Sequence, residues 1–264
     1  MEWTEESLNK GVVTKSFHGN RGERSIPGRA WFPEGSEIGP IVLIGHGGSG
    51  SVLEDHVGAL ARGLVRTYGA TCIAIEGPVH GLRRGERSSD PTLVMLDFSQ
   101  VWASDPTMTD EMVADWRAVL SEISQECGLE DRRVGYWGLS MGTLLGLPLV
   151  AAEPRIVACV LGLAGSVGPT SERLLDDAPK VTIPTLFLMQ WDDELFPRES
   201  CLDLFAAIGS NDKQLHATPG LHSAVTDESF VMTAEFLGKK LSTQWVRWRL
   251  VALDRRDSRG CQFQ

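Results

Sequence analysis

The sequence predicts an α/β protein with a doubly wound, mostly parallel central sheet and helices on both of its faces. Three observations lead to this prediction. Apolar runs of strand length alternate with helical patterns through most of the 264 residues. Residues 41–44 are continuously apolar, as in a strand that is covered on both faces. Residues 138–142 read Gly-Leu-Ser-Met-Gly and stand between an apolar strand pattern and an apolar helical run.

The chain begins with two short strand patterns, residues 12–17 and 26–32, which we expect to form an antiparallel edge of the sheet. The apolar strand 41–44 follows, and a further strand is predicted over 71–75. A helix between these two strands is indicated by apolar residues at helical spacing. Its apolar face comprises Leu53, Val57, Leu60, Ala61 and Leu64.

The segment 77–106 is too long for a simple connection between a strand and a helix, and it contains its own helix near residues 93–102. A further helix is predicted to begin at Asp105 and Pro106, because proline is tolerated in a first helical turn. The buried face of this helix would comprise Met112, Trp116, Val119, Leu120, Ile123 and Cys127.

The second half of the chain repeats the alternation of strand and helix. Its predicted strands cover residues 133–137, 156–161, 185–189 and 214–217, and its predicted helices cover 143–152, 199–208 and 225–240. We therefore expect a single domain over residues 1–242, in which residues 82–105 form a small insertion that could cover a pocket. Residues 243–264 are basic and irregular, and we expect a solvated or disordered extension; a membrane-surface or partner-binding segment is the alternative.

Composition excludes several classes of protein. The formal net charge of −10 argues against nucleic acid as a partner, because phosphate contacts need clustered lysine and arginine. We find no apolar run long enough for an integral membrane segment, and the acidic N-terminus does not resemble a signal peptide. The five cysteines are scattered without metal-type spacing, so we predict no metal site and a cytoplasmic protein with reduced thiols.

Ser140 is the candidate nucleophile. A tight turn between a strand and a helix holds such a serine in a strained backbone conformation, and Gly138 and Gly142 avoid collisions with the neighbouring chain. The alternative is an ordinary strand-to-helix turn that happens to contain serine. A serine hydroxyl needs a base that takes its proton and an acid that holds the base.

The base and the acid are expected on loops after later strands, in the chain order serine, acid, histidine. His222 lies in a turn-rich loop just after the last predicted strand and is the candidate base. The candidate acid is Asp193, with Asp192 as the alternative, because both follow the strand 185–189. Glu194 is the third carboxylate of that loop, and the carboxylates not turned toward His222 would be solvated or would cap the next helix.

The oxyanion of an acyl-transfer intermediate needs two backbone N–H donors. One is predicted at Met141, directly after the nucleophile. The other is predicted at Gly48 in the glycine-rich loop after strand 41–44, with Ser49 or Gly47 as alternatives. The same loop lacks the lysine of a phosphate-binding loop and the glycine spacing of a dinucleotide site, so we do not expect nucleotide binding.

These motifs together resemble the α/β-hydrolase superfamily, and in particular its compact esterases and dienelactone-hydrolase-like members. The resemblance covers roughly residues 40–240 and rests on the loop His46-Gly47-Gly48, on residues 77–81, on the 138–142 turn, on Phe196-Pro197 and on the His222 loop. It implies a sheet of about eight strands and a Ser-His-Asp mechanism without a cofactor. It also favours Asp193, whose spacing from Pro197 is typical of the family. Glu76 departs from the family pattern, which more often shows aspartate there.

We therefore predict a serine hydrolase that cleaves small-molecule carboxylic esters of small or medium acyl size. The alternatives are a non-catalytic ligand-binding protein of the same fold, and an acyltransferase or C–C hydrolase that uses the same triad. The oligomeric state stays open. The connection 165–184 is too short for a large lid.

Four side chains are candidates for the substrate pocket: Ser49, His80, Phe98 and Trp102. For Phe98 and Trp102 the alternative is packing of the insertion on the body of the domain. Three arginines of the insertion could attract an acidic substrate, although a solvated loop is the simpler interpretation; they are Arg83, Arg84 and Arg87.

Overall fold

A computed structural model describes residues 1–35 and 39–242 of the chain. The described residues form one nine-stranded sheet with the spatial order β1-β2-β3-β5-β4-β6-β7-β8-β9. Its strands are β1 (Glu2–Asn9), β2 (Val12–Arg21), β3 (Arg24–Pro33), β4 (Ile41–Gly45), β5 (Thr71–Ile75), β6 (Val134–Gly138), β7 (Ile156–Gly162), β8 (Thr185–Gln190) and β9 (Lys213–Thr218).

The sheet has a parallel body and an antiparallel edge. Strands β1, β2 and β3 pair antiparallel, and β3 joins β5 in the same sense. The strands from β5 through β4 to β9 are parallel throughout. The predicted α/β class and the antiparallel edge are therefore confirmed. Because the carboxyl ends of parallel strands meet at one edge of a sheet, the loops that follow β4 to β9 converge there.

Seven α-helices belong to the described part of the chain. They are α1 (Asp55–Tyr68), α2 (Pro91–Ser104), α3 (Met108–Cys127), α4 (Met141–Ala152), α5 (Ser171–Asp177), α6 (Arg198–Ala207) and α7 (Asp227–Leu241). Alternate side chains of each buried strand serve the two faces of the sheet. Ile41 and Leu43 pack in the core that contains α3 and α4, whereas Val42 and Ile44 pack in the core that contains α1 and α7.

Strand β1 is an element that the sequence analysis missed. Its side chains are mostly exposed and polar, so it lacks the apolar alternation that marks a half-buried strand. Trp3 is the exception, and its ring packs edge-on against Phe17 and Phe32 at centroid distances of 5.7 and 5.9 Å. This strand accounts for a sheet of nine strands rather than about eight.

Two helix assignments also differ from the prediction. Helix α3 begins at Met108 and not at Asp105, because the Asp105 side chain instead accepts the backbone N–H of Thr107 at 2.8 Å in the turn between α2 and α3. Helix α5 lies in the connection 165–184, where no helix was predicted; it has only seven residues, which is too short for a clear periodic pattern.

The predicted basic extension, residues 243–264, lies outside the described residues. Among residues 1–35 and 39–242, no helix is both long enough and apolar enough to cross a membrane.

Candidate active site

Ser140 occupies the tight turn between β6 and α4. Its backbone has φ 58° and ψ −121°, a positive φ that is uncommon for a residue with a side chain. The Ser140 N–H donates to the carbonyl of Gly162 at 2.9 Å, which ties the turn to the end of β7. A Cβ on Gly138 would lie 2.6 Å from the Gly142 carbonyl oxygen, and a Cβ on Gly142 would lie 2.5 Å from that of Gly45. The predicted steric need for both glycines is confirmed.

Tyr136 supports this turn from below. The ring is buried, and its hydroxyl donates to the carbonyl of Gly142 at 2.6 Å, in the first turn of α4. A Cβ on Gly45 or on Gly146 would overlap the Tyr136 side chain. The tyrosine therefore occupies a space, here called the Tyr136 socket, that exists only because residues 45 and 146 are glycines. The sequence analysis did not identify this role, although glycines on two neighbouring strands and on α4 are its signal.

His222 joins three loops that are far apart in the sequence. Its Nε2 lies 2.9 Å from the Ser140 Oγ, and its Nδ1 lies 2.8 Å from the Asp193 Oδ2. An ionised carboxylate only accepts hydrogen bonds, so Nδ1 carries the hydrogen of the neutral ring. Nε2 is then free to accept the hydroxyl hydrogen of Ser140. The structure thus brings together Ser140, His222 and Asp193, the three residues that the sequence pattern singled out.

The three carboxylates after β8 have different surroundings. The Asp193 side chain is 1% exposed and accepts the backbone N–H groups of Leu195 and Phe196 at 2.8 and 2.9 Å. Burial by itself would raise the pKa of Asp193, but the hydrogen bonds from His222 and Phe196 outweigh it, and the pKa lies below its usual value. The Asp192 side chain is 61% exposed and lies 3.7 Å from Arg198.

Glu194 has a role that sequence reasoning missed. Its Oε2 accepts the backbone N–H of His222 at 2.8 Å. The Glu194 carboxylate therefore holds the backbone of the histidine loop, while the neighbouring carboxylate of Asp193 holds the ring. No local pattern marks this contact, because its partners are 28 residues apart.

The glycine-rich loop after β4 rests on two buried histidines. The His46 Nδ1 lies 2.8 Å from the Gly47 carbonyl oxygen, and its Nε2 accepts the Gly77 N–H at 2.9 Å. Burial lowers the pKa of His46 to about 3, and the nearby His80 contributes, so the His46 ring is neutral. The His80 Nε2 lies 2.8 Å from the Gly48 carbonyl oxygen, and its Nδ1 lies 2.6 Å from that of Pro78.

The four predicted pocket residues differ in exposure. Ser49 is exposed beside the loop, whereas His80 is fully buried and presents no surface to a ligand. Phe98 is 4% exposed and packs between His80 and Trp102, with ring centroids 5.6 and 6.0 Å away. The Trp102 Nε1–H donates to Thr170 Oγ1 at 3.0 Å. Packing within the protein therefore accounts for Phe98, whereas Trp102 packs on Phe98 and stays partly exposed.

Met95 is a candidate pocket residue that sequence reasoning missed. It lies on α2 and is partly exposed. Its Sδ lies 2.9 Å from where a Cβ on Gly48 would stand, and the Cβ of Met141 lies 3.6 Å from the same point. Helix α2 therefore extends over the loop that carries Gly48, next to the first residue of α4.

Comparison with known structures gives the family. A cold-adapted esterase from an Arctic intertidal metagenomic library, solved in a polyethylene glycol-bound complex, is 37% identical to this chain. The match covers 92% of this chain and 100% of that protein, with a TM-score of 0.82. The chain belongs to the esterases of the α/β-hydrolase superfamily. These enzymes are carboxylic ester hydrolases.

Structures with lower sequence identity share the fold of the present chain. They include a dienelactone hydrolase from Anabaena variabilis, at 17% identity, with 87% of this chain and 97% of that chain covered and a TM-score of 0.63. Acetyl xylan esterase 1 from a Thermoanaerobacterium species is 15% identical, with 91% and 88% covered and a TM-score of 0.69.

Sequence comparison alone is less informative for this esterase. No family model matches the chain. The uncharacterized protein YnbC of Escherichia coli K12 is 34% identical over 67 residues, which cover 25% of this chain and only 12% of that protein's length.

Two arginines of the esterase's insertion are engaged inside the protein. The Arg83 Nη2 contacts the buried Asp115 at 2.8 Å, and the Arg84 Nη2 contacts Asp97 at 2.9 Å. The Arg83 and Arg84 side chains are 11% and 4% exposed, so neither is a solvated charge that could attract a substrate. Arg87 is 62% exposed and agrees with the solvated-loop interpretation.

Glu76 is a buried carboxyl beneath the glycine-rich loop of the esterase. Its Oε2 accepts the Val52 N–H at 3.3 Å, and its Oε1 has no hydrogen-bond partner among the described residues. Burial raises the pKa of Glu76 to about 7. In residues 1–35 and 39–242, no group of three or more His, Cys, Asp or Glu side chains is placed to hold a metal ion.

Proposed function

We propose that this esterase cleaves small-molecule carboxylic esters of small or medium acyl size through a Ser-His-Asp triad and an acyl-enzyme. The observation that carries the proposal is the unbroken series of contacts Ser140–His222–Asp193, at 2.9 and 2.8 Å. In this order the alcohol can give its proton to the imidazole, and the carboxylate can stabilise the imidazolium that forms. The strained backbone of Ser140 adds support, because it lifts the hydroxyl above the start of α4.

The first half-reaction transfers the acyl group to the protein. The Ser140 Oγ attacks the ester carbonyl carbon while the His222 Nε2 accepts the hydroxyl proton. The carbonyl π electrons move to oxygen and form a tetrahedral intermediate. When that intermediate collapses, the bond to the alcohol oxygen breaks and His222 returns the proton to this oxygen. The alcohol leaves, and the acyl group remains as an ester of Ser140.

The second half-reaction repeats these steps with water. His222 accepts a proton from a water molecule, whose oxygen attacks the acyl carbon. The second tetrahedral intermediate expels the Ser140 oxygen, which regains its proton from His222, and the carboxylic acid is released. Asp193 stays ionised throughout, since its pKa is held below the usual range, and it stabilises the imidazolium that forms twice in each cycle.

The oxyanion of both intermediates needs preorganised donors, and we assign them to the backbone N–H groups of Met141 and Gly48. Met141 is the first residue of α4, where N–H groups lack partners within the helix. Gly48 lies close to Met141, as the 3.6 Å between the Met141 Cβ and the Cβ position of Gly48 indicates. The loss of one such donor typically costs about a hundredfold to a thousandfold in rate.

The preference for small or medium acyl groups rests on the position of α2. Met95 lies over Gly48, and the Trp102–Thr170 hydrogen bond at 3.0 Å holds the same helix to the loop before α5. A helix held in this way limits the space above Gly48, the proposed oxyanion donor. Ser49 is the exposed member of the proposed pocket, and Met95 joins it.

The cellular location and the partners proposed for the enzyme rest on its cysteines and on its net charge. The four cysteines of the described residues, Cys72, Cys127, Cys159 and Cys201, are free. Free thiols are typical of a reducing compartment, which supports the cytoplasm as its location. The net charge of −10 supports a protein that does not bind nucleic acid.

We also propose a single domain over residues 1–242, since one sheet runs from β1 to β9.

The decisive test replaces the nucleophile. We expect Ser140→Ala to lower kcat/KM for p-nitrophenyl acetate and butyrate by about a thousandfold or more, without loss of the folded state. Ser223→Ala is the matched control, because Ser223 is exposed and lies next to His222. It should keep wild-type activity. Turnover retained by Ser140→Ala would exclude the proposed mechanism.

Covalent labelling separates this enzyme from a non-catalytic protein of the same fold. A fluorophosphonate probe reacts with an activated serine, so it should label the wild-type protein and Ser223→Ala but not Ser140→Ala. The absence of labelling in the wild-type protein would favour a ligand-binding function instead.

A further inference from the structure

Two successive carbonyl groups of the glycine-rich loop contact buried imidazole rings. The Gly47 carbonyl oxygen lies 2.8 Å from the His46 Nδ1, and the Gly48 carbonyl oxygen lies 2.8 Å from the His80 Nε2. Both histidines are buried, at 1% and 0% exposure. The carbonyls therefore face the interior of the protein at consecutive peptide units.

A trans peptide unit is planar, and its C=O and N–H point in opposite directions. The Gly47 carbonyl belongs to the same unit as the Gly48 N–H, and the Gly48 carbonyl belongs to the same unit as the Ser49 N–H. A ring that fixes one carbonyl on the buried side consequently directs the N–H of that unit to the other side. His46 acts in this way on the unit that contains the Gly48 N–H, and His80 acts on the next unit.

His80 is itself held firmly in place. Its ring packs edge-on against the rings of His46 and Phe98, with centroid distances of 5.1 and 5.6 Å. The preceding residue, Val79, has φ 55°, and its carbonyl accepts the Arg84 Nη1–H at 2.8 Å. Arg84 in turn contacts Asp97 of α2. The segment after β5 and helix α2 together present one imidazole to the Gly48 carbonyl.

We propose that His80 is a positioning residue of the active site: its Nε2–H donates to the Gly48 carbonyl and thereby fixes the Gly48–Ser49 peptide plane in the oxyanion loop. The inference rests on the proposed function, because it assigns the support of the same oxyanion site. It replaces the substrate contact that the sequence suggested for His80, which full burial does not support.

The hydrogen count of the ring makes the proposal specific. Both ring nitrogens face carbonyl oxygens, which only accept hydrogen bonds. Burial lowers the pKa of His80 and outweighs the contacts with the Gly48 and Pro78 carbonyls, which by themselves would raise it, so the ring is neutral and has one N–H. Only one of the two carbonyls can then receive a hydrogen bond from it. The proposal requires that hydrogen on Nε2, toward Gly48 at 2.8 Å, and not on Nδ1, although the Pro78 carbonyl is the nearer acceptor at 2.6 Å.

Two amide substitutions test this assignment. Glutamine places its amide nitrogen near the position of Nε2 and can donate to Gly48, whereas asparagine places it near Nδ1 and reaches only Pro78. With p-nitrophenyl butyrate, we expect His80→Gln to keep kcat within about fivefold of the wild type. We expect His80→Asn to lower kcat by about tenfold to a hundredfold with little change in KM. Release of the peptide plane that directly follows Gly48 would let the Gly48 N–H shift, and a displaced oxyanion donor weakens mainly the transition state.

A trifluoromethyl ketone gives a second readout, because its adduct with Ser140 carries an oxyanion. Its affinity should fall in His80→Asn in parallel with kcat/KM and should be nearly unchanged in His80→Gln. A merely structural role would lower the urea midpoint of both variants without this parallel. Equal kcat losses in the two variants, or a loss confined to His80→Gln, would overturn the proposal.

The wild-type protein provides a test that does not depend on the folding of variants. Nitrogen-15 NMR of labelled histidine distinguishes the two neutral tautomers, and we expect the hydrogen of His80 on Nε2. A hydrogen on Nδ1 would overturn the proposal. The outcome for the function is separate: full activity in Ser140→Ala contradicts the mechanism itself, whereas an inactive Ser140→Ala beside a fully active His80→Asn contradicts only the role of His80.

Discussion

At the scale of single residues, Asp192 and Asp193 show how surroundings decide the chemistry of identical side chains. The Asp193 side chain is nearly completely buried and receives hydrogen bonds from His222 and from two backbone N–H groups. Asp192 is mostly exposed and lies beside Arg198. Only the buried carboxylate contacts the imidazole, so only it can hold the ring in the tautomer that leaves Nε2 free for Ser140.

We expect Asp193→Asn to lower kcat by about a thousandfold to ten thousandfold, because an amide stabilises the wrong tautomer and cannot balance the imidazolium charge. Asp192→Asn is the matched control and should stay within about twofold of the wild type, as exposed charges contribute little. Steady-state kinetics with p-nitrophenyl acetate measures both. A large loss in Asp192→Asn, with normal activity in Asp193→Asn, would show that Asp192 is the acid and would contradict the assignment to Asp193.

At the scale of elements, the contact between β6 and α4 positions the nucleophile. The turn that carries Ser140 joins these two elements, and Tyr136 of β6 donates to the first turn of α4 through the Gly142 carbonyl. Gly146, one turn further along α4, leaves the space that the tyrosine ring occupies. The geometry of the turn therefore depends on close packing of a strand against a helix.

We expect Gly146→Ala to destabilise the protein by about 1–3 kcal/mol, because the added methyl overlaps a ring that has no room to move. Gly63 in α1 is the matched control, since a Cβ there meets no atom within 4 Å. Gly63→Ala should stabilise the protein by about 0.5–1 kcal/mol through its better helix propensity. Urea unfolding compares the two variants, and equal effects would contradict the proposed socket.

At the scale of the whole molecule, the cores on the two faces of the sheet are accompanied by polar side chains that are also buried. Glu76 follows β5 directly, and its side chain is fully buried beneath the glycine-rich loop. Burial favours the protonated form of a carboxyl, because the charged form loses its hydration. The free energy of unfolding therefore depends on pH through this residue.

The sign follows from the two pKa values of Glu76, about 7 in the folded protein and 4.5 as its ordinary value. Between these values the folded state binds the proton more tightly than the unfolded state, so stability falls as pH rises from 4.5 to about 7 and changes no further above it. The loss attributable to Glu76 is about 3 kcal/mol, an order-of-magnitude value.

We expect Glu76→Gln, whose side chain cannot ionise, to remove this part of the pH dependence. From pH 5 to pH 8, the unfolding free energy of the wild type should fall relative to that of Glu76→Gln. Urea unfolding at both pH values measures it, and the difference between the two proteins cancels the other titrating groups. A difference that is constant with pH would contradict a raised pKa for Glu76.

Several features could be predicted because they are written in short stretches of chain. The alternation of apolar runs predicts the parallel sheet, and the 138–142 pattern predicts both the sharp turn at Ser140 and the glycines around it. The choice of Asp193 over Asp192, the carboxylate that contacts His222 in the structure, came from the resemblance to the α/β-hydrolase family, in which the spacing to Pro197 is typical. For the strands and for the turn at Ser140, the deciding interactions lie within about one strand, turn or helical turn.

Other features were decided only when distant segments came together. Strand β1 exists because β2 pairs with it, Glu194 meets the His222 backbone across 28 residues, and His80 meets Gly48 across 32. Full burial removes His80 from the ligand contact that was predicted for it and places its ring against the Gly48 carbonyl. A linear pattern records which side chains a segment offers, whereas burial and hydrogen-bond partners depend on what the rest of the chain places around them.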